Sequence, residues 1–377
     1  MKKTLFYLLA ALAAVACQND DTDFSAYING EGTDTGTETS AISTIYIAYN
    51  GTTATVTGDD RGYVTVKDAD VTVNTGTDTD SLLLVLSGTA TDGSLLVFRE
   101  RRYGLRLNGV SLHNADGPAI NNQCSKTLYL EVAAGTTNTL TDGTAYDETV
   151  TYQQKGALFS EGQVCLLGTG ALSVTGQCKN AIACDDYMVI DDNVKLLVTA
   201  TADNGIKVND GIWINDGTIS IGVSGDAARG IRCDSVVVIT GGDISINTSG
   251  DCVYDSEELD YSSAACIKCD YAFTMSGGTL NMKSTGDGGK GINCAQSVTV
   301  SGGTLTAVTT GGNDEGKPKA VKGDTGITVS GGSFYAQVEK SWACDNGTES
   351  ETPADHLTIL GTPTKATVEK KLVEVTF

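Results

Sequence analysis

Residues 205–221 read GIKVNDGIWINDGTISI, residues 230–246 GIRCDSVVVITGGDISI, residues 266–282 CIKCDYAFTMSGGTLNM and residues 291–307 GINCAQSVTVSGGTLTA. The second residue of each phrase, Ile206, Ile231, Ile267 and Ile292, is an anchor. Ile182 precedes the set and Val321 follows it, at steps of 24, 25, 36, 25 and 29 residues. A glycine stands 11 residues past the anchor in the last five copies, at Gly217, Gly242, Gly278, Gly303 and Gly332. All variation in length therefore falls after the third apolar pair, as it does in a solenoid whose insertions collect on one edge.

The pattern inside a copy identifies the coil. Ile231, Cys233, Val237, Ile239, Ile244 and Ile246 share one face, and Arg232, Asp234, Val238, Thr240 and Ser245 the other. That is a period of two, the spacing of strands and not of helices. Three short strands with corners at Asp234–Ser235 and Gly241–Gly242 predict an all-β chain folded as a three-sided parallel β-helix, each strand pairing with its counterpart one coil on, about 4.8 Å away. A leucine-rich repeat would need an asparagine–leucine signature that is missing, and a propeller blade needs about 40 residues.

Around this centre the chain divides into five parts. Residues 1–16, with Lys2, Lys3 and the apolar run from Leu5 to Val15, form a lipoprotein signal peptide, too short to span a membrane. Cys17 is the expected site of lipidation, and the acidic QNDDTD that follows resembles the surface-export signal of Bacteroidetes lipoproteins. Together these predict an outer-membrane lipoprotein exposed at the cell surface. Residues 17–40, rich in Thr, Gly, Asp and Glu, read as a disordered tether. Residues 41–104 carry short alternating runs without a clean repeat and are assigned to an N-terminal cap and first coils; 105–341 hold the regular coils, and 342–377 break the period as a C-terminal cap.

The segment from Ser87 to Gly176 carries SGTATDG, LRLNGVSL, AGTTNTLTDG and GTGALSVTG. These blocks resemble those of a secreted bacterial family named as carbohydrate-binding domain-containing, and the resemblance extends to about Gln337. It implies a pectate-lyase-like, right-handed parallel β-helix that lacks lyase activity and binds calcium and plant polysaccharide. The resemblance assigns no individual ligand residue, because the loops where calcium would sit are where this chain varies most.

The columns of the repeat separate architecture from chemistry. Two residues past the anchor lie Cys184, Val208, Cys233, Cys269, Cys294 and Gly323, a ladder of small, soft core residues lacking the spacing of a zinc site. Cys252 and Cys266 bracket the long insertion VYDSEELDYSSAA, and a disulfide there would close that loop.

One residue past the anchor stand Lys207, Arg232, Lys268, Asn293 and Lys322; three past it stand Asp185, Asn209, Asp234, Asp270, Ala295 and Asp324. A cationic column thus runs beside an acidic one. Either the two compensate each other, or they present a repeating platform to a repeating acidic sugar polymer, with Lys207, Arg232, Asp234, Lys268 and Asp270 as ligand-binding candidates. Trp213 and Tyr335 are expected to point outward and offer flat faces to sugar rings. At the insertion edge Asp226, Asp251, Asp255, Asp287, Asp314 and Glu315 are candidate calcium ligands, hard oxygens in loops suiting that ion over zinc or copper.

No catalytic constellation emerges. Only His113 and His356 exist, and neither a GxSxG nor an HExxH motif occurs. Arg232 beside Asp234 resembles the base arrangement of a β-helix lyase, yet it recurs as Lys268 with Asp270 and so reads as repeat. The net charge of −22 repels nucleic acid. The expected function is non-catalytic, calcium-supported binding of plant-type or acidic polysaccharide by a monomer that meets the membrane only through its lipid. A structural or adhesive stalk and a polysaccharide lyase are the alternatives.

Overall fold

A computed structural model describes residues 42–78, 80–312 and 315–377. The signal peptide, the lipidation site Cys17, the tether and the calcium candidate Asp314 lie outside the described residues. The rest is a β-solenoid of about 11 turns with almost no helix, the parallel β-helix that the repeat predicts.

One coil shows how the sequence makes it. Strand Arg229–Cys233 is followed by Val236–Ile239 and Asp243–Thr248, separated by the corners at Asp234–Ser235 and at Thr240–Gly242. Each strand pairs in parallel with its equivalents in the coils on either side. Along the first face Ile182, Ile206, Ile231, Ile267, Ile292 and Val321 are successive register partners. The same in-register stacking runs along the second face, through Ile214, Ile239, Met275 and Val300, and along the third, through Ile219, Ile244, Leu280 and Leu305. All these side chains are buried, each contributing roughly 1.5–3 kcal/mol of apolar transfer.

The cysteine ladder is architectural. Cys184, Cys233, Cys269 and Cys294 are buried in the core, and their thiols serve the corners: Cys184, Cys233 and Cys294 donate to the carbonyls of Tyr187, Val236 and Ser297 at 3.4, 3.3 and 3.4 Å. A thiol fits beside the anchors and still reaches a carbonyl at the corner. Burial pushes the Cys184 and Cys233 thiols up to about 12, which keeps them protonated donors.

Both ends of the stack depart from the repeat. At the start, Ser43–Gly51 pairs in parallel with Leu82–Ala90 and antiparallel with Thr53–Thr57. At the finish, Leu372–Thr376 runs antiparallel against Ser333–Val338 and Lys365–Val368, ending the parallel ladder. Reversing the last strand covers an edge that would otherwise template further pairing.

The recurring glycine has two causes. Gly242, Gly278, Gly303 and Gly332 have φ between 75 and 84°, and a Cβ on Gly303 would lie 2.6 Å from the carbonyl oxygen of Gly278 directly below. Gly303→Ala is therefore expected to destabilise the protein by about 2–3 kcal/mol, read as a lower urea midpoint. Gly222→Ala should cost far less, since nothing lies within 4 Å of its Cβ position. Equal midpoints for the two variants would refute this account.

Candidate functional site

The outer surface of the first face carries more cations than alternation alone provides. In register with Ala265, Lys290, Lys319 and Trp342 stands Arg229, two residues before its anchor. Strict alternation would turn this position into the core. The backbone avoids that by a step at the next residue: Gly230, Cys266, Gly291 and Ala320 take no part in the register. A Cβ on Gly230 would meet Ile246 at 2.3 Å, and one on Gly291 would meet Ala307 at 3.0 Å, so that residue and the anchor both face inward. Arg229, Lys290 and Lys319 are thereby turned to the outward side of the strand, beside Arg232, Lys268 and Lys322, with Lys290 and Lys319 still buried there. The signal was present in the sequence: Ala181, Gly205, Gly230, Cys266, Gly291 and Ala320 are all small, and cations recur where a core residue would stand.

Ion pairing divides these cations into two groups. Lys207 is bonded to Asp234, and Arg232 reaches Asp234 at 2.8 Å and Asp270 at 2.6 Å while donating to the Cys233 carbonyl at 2.7 Å. Lys319 pairs with Asp345 and Lys322 with Asp324, both at 2.9 Å. The in-register stacking of Arg232 on Lys268 is offset by aspartates in this way. Arg232 is thus held at each end of its guanidinium, an anchor of the sheet and not a poised base.

Among the described residues Arg229, Lys268 and Lys290 make no ion pair. They come from three successive coils, one cation per coil. Burial lowers the pKa of Lys268, and neighbouring Arg229 and Arg232 lower it further. Lys290, only 8% exposed, is pushed down to about 8, first by burial and then by Lys322. Arg229 is lowered by burial and by Arg232; its Nε is buried without a hydrogen-bond partner. The surface thus concentrates positive charge inside a chain of net charge −22.

The 249–264 insertion frames this patch. Val253–Asp255 and Asp260–Ser262 form an antiparallel hairpin. Its base is tied to the cations: Arg229 Nη2 donates to Ser262 Oγ at 2.7 Å, and Lys290 donates to Ser263 Oγ. Tyr254 and Tyr261 pack edge to face at 5.3 Å, and Tyr254 is half exposed, leaving ring surface beside the charges.

The other predicted residues fall elsewhere. Trp213 points away from the core but is only 5% exposed: it lies in register between Val189 and Val238, with Tyr187 against it at 5.8 Å and the space above Gly211 filled by its indole. The expected open stacking face at Trp213 is corrected to a buried ridge on the second face. Tyr335 lies on the third face, half-buried, its hydroxyl donating to Gln337 at 2.8 Å; it is not brought near the cations. The expected Cys252–Cys266 bond is also corrected, because both are free thiols. Cys266 is turned inward by the backbone step, where Thr248 Oγ1 lies 3.8 Å from its sulfur, whereas Cys252 packs at the loop edge beside Gly288 and Gly316.

At the acidic edge the aspartates form a ladder. Asp226 accepts from the Asp251 amide at 2.9 Å, Asp251 from the Asp287 amide at 2.8 Å and Asp287 from the Gly312 amide at 2.6 Å. Each carboxylate satisfies a backbone donor one coil on, where the turn leaves it without a strand partner. Asp255 instead caps its own hairpin turn through the Glu257 amide at 2.9 Å, and Glu315 is exposed. Among the described residues no three of His, Cys, Asp or Glu form a cluster that could hold a metal ion; the candidate Asp314 lies outside them. Asp251→Ala is expected to cost about 1 kcal/mol and Asp251→Asn much less, with chelator leaving the melting temperature unchanged. A fall of the melting temperature in chelator would instead assign calcium to this edge.

Comparison with known proteins follows the same outline. A family model described as carbohydrate-binding domain-containing protein matches residues 67–229 and 225–316. Among solved structures, the polysaccharide lyase-like protein from C. thermocellum, determined as a gadolinium derivative, is similar with 22% identity and a TM-score of 0.56, over 68% of this chain and 96% of that one. That likeness is one of fold. No curated protein matches the sequence.

Proposed function

The chain belongs to the carbohydrate-binding domain-containing family, and from that premise we propose that the outer surface of its first face binds an anionic polysaccharide without cleaving it. The observation that carries this reading is the unneutralised trio Arg229, Lys268 and Lys290, one cation on each of three consecutive coils. Parallel strands repeat every 4.7–4.9 Å, and an extended 1,4-linked sugar chain advances by a similar distance per residue. A polymer lying along the solenoid axis therefore meets each cation with one acidic sugar. Tyr254 supplies an apolar surface at the border.

Non-catalytic binding is favoured because Arg232 is held by two aspartates and a carbonyl, leaving it no freedom to take a proton. The remaining acidic surface repels nucleic acid. No step of this reading passes through calcium. Its cellular setting is a surface-exposed lipoprotein anchored by an acylated Cys17. Cys17→Ser should move the protein from the membrane fraction to the soluble fraction, and unchanged fractionation would remove the anchor from the proposal.

Polyuronate binding, followed by calorimetry or by retardation in a polyuronate gel, tests the site. Lys268→Ala and Lys290→Met should each weaken affinity by about tenfold, whereas Lys207→Ala, whose ammonium is already paired, should change it by less than about twofold. Affinity should also fall as pH rises from 7 to 9, because Lys290 loses its proton near 8, and Lys290→Met should flatten that fall. Absence of retardation in any anionic glycan would overturn the reading; new unsaturated products absorbing in the near ultraviolet would replace it with a lyase.

A further inference from the structure

The outward column that contains Arg229, Lys290 and Lys319 ends on Trp342, the register partner of Lys319. A cavity of about 390 Å³ opens at that point, lined by Lys319, Lys340, Trp342, His356 and Lys370 among others. Its size is that of a small-molecule site. We infer that this cavity is a terminal subsite, which takes the end residue of the polysaccharide as a single anionic pyranose. The inference rests on the proposed surface binding for the path of the polymer, but the cavity's own chemistry stands apart from it.

Three features match such a ligand. The first is charge. Lys317 and Lys340 line the cavity and make no ion pair among the described residues, while Lys319 is paired with Asp345 at 2.9 Å and Glu349 and Glu351 also line it. A sugar carboxylate would thus find free ammonium groups.

The second is an aromatic ring with a removable cover. Lys370 sits 4.5 Å from the Trp342 ring centre, and His356 lies 4.4 Å from it on a ring tilted by 37°. Among the described residues the one ion pair of Lys370 is a 4.0 Å contact to exposed Glu351. A cation over an exposed aromatic ring is worth only about 0.5–1 kcal/mol. A pyranose can displace that ammonium from the indole, and the displaced charge stays within reach of the sugar's carboxylate.

The third is a buried ring nitrogen without a partner. His356 is 4% exposed, and its Nε2 lies 2.8 Å from the Ser350 carbonyl oxygen. A carbonyl only accepts, so Nε2 carries a hydrogen in this contact. The other ring nitrogen, Nδ1, is buried and bonded to nothing. A sugar hydroxyl, which both donates and accepts, is a partner of the kind it lacks. The 348–351 loop, His356 and Lys370, which line the cavity, belong to the C-terminal cap.

The test is titration of the full chain with free galacturonate and with galactose, followed by tryptophan emission and by calorimetry. Galacturonate is expected to change the emission with millimolar affinity, and galactose to leave it unchanged. Trp342→Phe should abolish the emission change, and Lys340→Ala or His356→Gln should weaken binding of the free acid by at least about fivefold, all three leaving retardation by long polyuronate nearly unchanged. Lys268→Ala should show the reverse pattern. Polymer retardation with no response to free galacturonate refutes the subsite and leaves the surface reading standing. A response to galacturonate at Trp342 with no polymer retardation does the opposite. Equal responses to galacturonate and galactose overturn the anionic assignment.

Discussion

In-register stacking of parallel coils is the constraint from which the rest of this molecule follows. Because every residue lies directly over its counterpart, any property of one coil is repeated along the axis about every 4.8 Å. Apolar positions become continuous ladders of buried Ile, Val and Leu. Turn positions become a ladder of glycines at positive φ, each closing on a backbone carbonyl of the coil beneath. Polar groups left over at the corners are satisfied within the same geometry, by cysteine thiols on one side and by aspartate carboxylates on the other.

The same stacking makes charge expensive to repeat. Cations a single coil apart repel unless something lies between them, and on the first face aspartates from the neighbouring column perform that task for Lys207, Arg232 and Lys322. Where that compensation stops, at Arg229, Lys268 and Lys290, burial and mutual repulsion lower the pKa of each group. Such an arrangement is maintained at a cost to the folded chain, and an anion laid across it would relieve that cost. On the proposed reading, binding lies where self-neutralisation stops, and repeated residues that are fully paired belong to the architecture.

The break in alternation before each anchor decides which residues can act. A period-two reading places position two before the anchor inside, yet Arg229, Lys290 and Lys319 stand there. The small residues that follow them let the backbone step, so that two consecutive side chains face inward and the preceding cation is turned out of the core. Conversely, Trp213 occupies an outward position as its place in the repeat required, but valines in the coils on both sides and Tyr187 cover it. Direction is a property of one strand; exposure depends on the neighbours.

The repeat by itself determined the three-sided coil, its corners, the inward Ile and Cys columns and the outward pairing of cations with aspartates, because those depend on spacing along the chain. The partners of each charge, the release of Arg229 and Lys290, the aspartate ladder that occupies the acidic edge, the free state of Cys252 and Cys266 and the cavity around Trp342 were decided only by the tertiary structure. Each depends on distances between coils, or between a coil and the cap, and such distances arise from residues 24 or more positions apart, whose contacts no local pattern encodes.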